Sequence, residues 1–80
     1  MELTNEQKKS LIGRLVHNVL NDLTSIENIT TDEIYYMKKL EDAGYLKLYR
    51  ATLTNKDFEL YMIKFEKGYK FEELYGGKNN

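Results

Sequence analysis

Along the first quarter of the chain the apolar residues recur at three- and four-residue spacing. Leu11, Ile12, Leu15, Val16, Val19, Leu20 and Leu23 alternate with Lys8, Lys9, Arg14, Asn18, Asn21 and Asp22. That period marks an amphipathic helix. Ahead of it Thr4 and Gln7 form a capping box, in which each side chain satisfies a backbone N–H that the first turn leaves unpaired. A helix is therefore expected over about 5–23, with Gly13 leaving open whether it is one helix or two. Thr24 and Glu27 repeat the capping pattern, but a third box, Thr30 with Glu33, follows so closely that only about one helical turn fits between them. That stretch reads as a connector. Ile29 is placed to staple onto Ile34, while Ile34, Met37 and Leu40 give a second helix its inward stripe. Ala43, Gly44 and Tyr45 end it, with Gly44 suited to a left-handed cap and Tyr45 able to fold back on Leu40.

From Leu46 the pattern changes to extended structure. Residues 46–53 and 58–65, joined by a turn-like 54–57, predict a two-stranded antiparallel hairpin. Gly68 breaks the pattern, and Phe71, Leu74 and Tyr75 predict a short final helix stopped by Gly76 and Gly77. The expected fold is α+β, in the order α-α-β-β-α. It forms a small single domain over 1–77 with a polar tail at 78–80.

The run Thr31-Asp32-Glu33-Ile34-Tyr35-Tyr36-Met37-Lys38-Lys39-Leu40-Glu41-Asp42-Ala43-Gly44-Tyr45-Leu46, a hairpin, and then a Lys67-Gly68 corner follow one another over about residues 30–75. This succession resembles the second half of a winged helix-turn-helix domain of the PadR and MarR type. The resemblance implies an abbreviated winged helix, because one long helix and a possible turn stand where more helices would precede the wing. It also implies a DNA-binding transcriptional regulator, dimeric, with Tyr35, Tyr36, Lys38 and Lys39 near bases and Lys47, Arg50 and Lys56 near phosphates.

Charge tells against that use of the second helix. Over residues 30–43, Lys38 and Lys39 face Asp32, Glu33, Glu41 and Asp42, a net of −2. Phosphate neutralisation supplies most sequence-independent DNA affinity. The hairpin is the more basic part, with Lys47, Arg50, Lys56 and Lys64 against Asp57 and Glu59 over 45–65, a net of +2. These cations equally suit an edge strand kept soluble and unpaired. The whole chain nearly balances, with 13 acids against 12 lysines and arginines, so no global field draws it to nucleic acid or an anionic membrane.

Catalytic hardware is sparse. The 80 residues contain no cysteine and one histidine, His17, whose helical neighbours Gly13, Arg14, Leu20 and Asn21 supply no acid-base partner. Adjacent acids such as Glu41 and Asp42 diverge by ~100° on a helix. No phosphate loop, zinc-ligand set or cofactor motif is present, so neither an enzyme, a cofactor nor a small-molecule substrate is expected. The lack of disulfides and of long apolar runs points to a cytoplasmic protein with no membrane span or signal peptide.

Seven tyrosines in so short a chain are the distinctive feature. They exceed what a small core can hide with every hydroxyl satisfied, and tyrosine is enriched where proteins meet. Both faces of the second strand carry apolar bulk, so one of them, with Tyr49, Tyr61, Ile63 and Phe65, is expected to meet the terminal helix, a second copy of the chain or a partner. Two functions follow. The first is a small non-enzymatic protein, of the kind phages and mobile elements use to modulate or inhibit host enzymes. It would dock on a host protein, such as a nucleic-acid-processing or defence enzyme, through Tyr35, Tyr36, Lys39, Tyr49, Tyr61 and Ile63. The second is the winged-helix regulator, touching DNA through Lys38, Lys39, Lys47, Arg50 and Lys56.

Overall fold

The computed structural model describes residues 2–75, so the glycine stop at 76–77 and the tail at 78–80 lie outside the described residues. Both main capping boxes form. Thr4 Oγ1 accepts the Gln7 N–H at 3.1 Å while Gln7 Oε1 accepts the Thr4 N–H at 2.8 Å. Thr30 and Glu33 make the same reciprocal pair at 3.2 and 2.9 Å. From these starts run α1 (Asn5–Leu20) and α2 (Thr31–Asp42). The first is one uninterrupted helix through Gly13. It stops short of Leu23 because Asp22 turns left-handed at φ 58° and the Leu23 N–H folds back to the Asn18 carbonyl at 2.8 Å. That bonding closes the last turn as a Schellman cap. The end of α2 is built alike, with Gly44 at φ 94° and the Tyr45 N–H on the Leu40 carbonyl at 2.9 Å.

The segment expected to be a connector with a helical turn is a strand, β1 (Ser25–Ile29). It pairs antiparallel with β3 (Leu60–Lys67), which pairs on its other side with β2 (Leu46–Asn55). The result is a three-stranded sheet in the order β1-β3-β2, where a lone hairpin was expected. A bulge explains why the period misleads. The register slips between Ile26 and Ile29, with Asn28 at φ 58°, so two isoleucines three positions apart both point into the core. In a regular strand residues three apart face opposite sides. Thr24, which has the spacing of a cap, instead gives its carbonyl to the Phe65 N–H at 2.9 Å.

One face of this sheet, through Ile26, Leu46, Ile63 and Phe65, closes a single core with Leu11 and Leu15 of α1 and Met37 and Leu40 of α2. The final helix is one 3-10 turn (Phe71–Leu74), which plugs Phe71 into the same core. The chain reaches it by crossing the α2–β2 connection, where the Gly68 N–H donates to the Tyr45 carbonyl and the Lys70 N–H to the Gly44 carbonyl, both at 2.9 Å. The protein is thus a small α+β domain with its helices on one face of an antiparallel sheet. Among the described residues no helix is long and apolar enough to cross a membrane.

Candidate functional site

Sheet edges are natural docking templates, and folds cover them. Here the outer edge of β1 is covered by α1. Asn18 Nδ2 donates to the Ser25 carbonyl at 2.8 Å, and the Arg14 guanidinium donates to the Glu27 carbonyl while lying 3.6 Å from the Glu33 carboxylate. The inner part of the β2 edge is covered by α2, whose Glu41 carboxylate accepts the Leu48 N–H at 2.9 Å. Cover then stops. Residues 49–54 are exposed one after another along the β2 edge, although β3 beside them enters the core at Ile63, opposite Ala51, so this strand edge and the turn that follows it form an exposed arm at the side of the core.

Local bonds give this arm its shape. The register shifts between Leu48 and Ala51 and again between Leu53 and Asn55. At the tip Asn55 Oδ1 accepts the N–H groups of Asp57 and Phe58 at 3.1 and 3.3 Å, an Asx turn. Thr54 Oγ1 donates to the Leu60 carbonyl at 3.1 Å. The chain returns through Glu59 at φ 50°. Phe58 therefore sits in the turn and is 73 % exposed, although the alternation placed it at the start of a strand. Leu53 is 47 % exposed and Tyr49 is 55 % exposed. Lys47, Arg50, Lys56, Asp57 and Glu59 surround these three with mixed charge, all of them exposed.

The first bulge also corrects the expected tyrosine face. Ile63 and Phe65 do not reach the surface: each is 2 % exposed, because β3 is the central strand and its inner face meets the helices. Ile63 is accordingly no docking residue. Tyr61, opposite both Leu53 and Ile29, is half-buried. Tyr49 leaves that face altogether, since the extra residue at the bulge reverses the alternation and brings its hydroxyl to Glu66. A hydrogen bond to the Glu66 carboxylate raises the Tyr49 pKa above the ordinary phenol value, with slight desolvation and charge repulsion acting in the same direction. The native state holds this proton more tightly than the unfolded chain. The contribution to stability is therefore complete below pH 10.0 and lost as pH rises through the raised value. Following the Tyr49 ring by carbon NMR should place its titration above that of free tyrosine, and Glu66→Gln should return it to the ordinary range.

The other expected docking residues gather on α2. Lys39 lies 5.1 Å over the ring of Tyr35, which is exposed, and Lys8 lies 5.4 Å over the ring of Tyr36, which is half-buried against the core. Together with Glu2, Leu3 and Asp32 they line a cavity of about 50 Å³ between the start of α1 and α2. Lys38 is exposed on the same helix. Apart from buried Ile63, the expected residues thus fall into two groups: Tyr35, Tyr36, Lys38 and Lys39 on α2, and Lys47, Tyr49, Arg50, Lys56 and half-buried Tyr61 on the β2–β3 hairpin. Leu53 and Phe58 join the second group although neither stood out in the sequence. The signal that could have found Phe58 was Asn55, whose side chain sets the turn two and three residues on. No protein-family model matches this chain, and no curated protein or solved structure is significantly similar to it.

Proposed function

We propose that this chain is a small non-enzymatic binding protein that docks its hairpin arm on another protein, as a phage-type modulator or inhibitor docks on a host enzyme. The observation that carries the proposal is the arm itself. Tyr49, Leu53 and Phe58 stand exposed along the β2 edge and the turn that follows it, where neither helix covers the strand. Fully burying such a side chain is worth roughly 1.5–3 kcal/mol, the size of an interface hot spot. The mixed charges around them suit a polar rim. Among these residues Tyr49 offers area with few rotors to freeze.

Affinity capture from the native cell tests this directly. A variant carrying Tyr49→Ser, Leu53→Ser and Phe58→Ser should melt within a few degrees of wild type, since none of the three is buried. It should lose the protein that the wild type retains. Retention of the same protein by both would refute the arm as the docking element.

A second function, binding of duplex DNA, is favoured by one observation: Lys47, Arg50 and Lys56 are all exposed on the hairpin. It predicts tight binding to mixed-sequence duplex at ~50 mM salt, falling steeply as salt rises. The four acids on and around α2 are the reason it ranks second.

A further inference from the structure

The apolar surface of α1 is wider than the sheet covers. It runs from buried Leu11 and Leu15 through half-buried Ile12, Val16 and Val19 to Leu20, which is 66 % exposed. At 3.6 residues per turn these positions sweep about 180° of the helix surface, whereas packing against one core uses an apolar stripe of roughly 100°. Among the described residues the outer part of this surface is only half-covered, and it forms a groove of about 710 Å³ between Ile12, Val16, Leu20, Leu74 and Tyr75, with Lys9 at one end. Gly13 also lines it, at the outer margin, and a Cβ there would meet nothing within 4 Å. A glycine in a helix interior costs about 1 kcal/mol relative to alanine. No turn or positive φ within the domain requires this one.

We infer that this face joins two copies of the chain, their α1 helices crossing antiparallel about a two-fold axis between Val16 and His17, with Leu20 of each copy seated over Gly13 of the other. A two-fold interface must be complementary to itself. Leu20 supplies the projection and Gly13, two helical turns away on the same stripe, supplies the recess. Val16 lies between them. Charge selects the same direction. In the antiparallel crossing Lys9 of one protomer meets the carbonyl end of its partner's α1 and the Asp22 carboxylate just beyond it, an attractive arrangement. A parallel crossing would set lysine beside lysine. The docking arm takes no part in this contact, so the dimer stands or falls independently of the proposed function.

Sedimentation over a concentration series tests it. The wild type should reach twice the chain mass, and Gly13→Glu and Leu20→Asp should each raise the dimer dissociation constant roughly 30-fold or more. Lys9→Glu should weaken it several-fold, with the larger effect at low salt. Gly13→Glu keeps the monomer folded, because the added side chain enters open space on a helix that favours it; its thermal transition, measured dilute, should match or exceed that of wild type. A wild type that stays monomeric to its solubility limit would overturn the proposal. So would a dimer that Gly13→Glu and Leu20→Asp leave intact.

Discussion

Gly68→Ala should lower the stability of the domain by about 3 kcal/mol, an effect at the upper end of what overpacking produces. The position follows β3, where the chain crosses the α2–β2 connection. A methyl group there would run into the Gly44 carbonyl oxygen and lie 2.8 Å from both the Leu46 nitrogen and the Tyr45 carbonyl carbon. These are backbone atoms, unable to swing aside as a side chain does. Relief requires the two segments to separate, which breaks the bonds from Gly68 to Tyr45 and from Lys70 to Gly44. Gly44→Ala should cost less, about 1–2 kcal/mol for its left-handed backbone, since the group it would strike is the ring of the exposed Tyr69. Urea denaturation of the two variants should rank them in that order. A Gly68→Ala protein as stable as wild type would mean that the two segments do not cross in close backbone contact.

Phe71→Ala should be among the most damaging single truncations, at roughly 3–5 kcal/mol. A domain of this size has on the order of 5–15 kcal/mol in total. Phe71 is 1 % exposed, and it is delivered to the core by a single 3-10 turn rather than by a long helix. Its ring meets Tyr75 edge to face at 5.7 Å, and both Leu74 and Tyr75 pack on the core beside it. Removing the ring therefore leaves a cavity and releases the residues that follow. The checks are a lower denaturation midpoint and faster amide exchange at Leu74 and Tyr75.

Local chemistry made part of this fold legible. Capping boxes act over three residues, so Thr4 with Gln7 and Thr30 with Glu33 mark both helix starts without reference to anything distant. The closure of α2 by Gly44 and Tyr45 is equally local. Where two strands must find each other across the chain, the pattern failed. Ile26 and Ile29 carry a helical spacing because a bulge at Asn28 turns both inward. Without β1 in view, β3 reads as one strand of a two-stranded hairpin with a spare apolar face, and Ile63 reads as a docking residue. As the central strand of three, β3 uses that face for the core. The bulge at 49–50 hid the arm in the same way, by turning Tyr49 from the face that Tyr61 shares with Leu53. Exposure of Leu53 and Phe58 follows from where the core ends, which depends on contacts far apart in the chain.

The most direct test of the arm as the docking element is photocrosslinking in the native cell, with a benzophenone side chain replacing Phe58. As a control, the same probe replaces Glu27, which is exposed on β1 and away from both the arm and the apolar face of α1. A discrete protein adduct from position 58, absent from position 27, is the expected result. Adducts to DNA alone, or equal adducts from both positions, would contradict it.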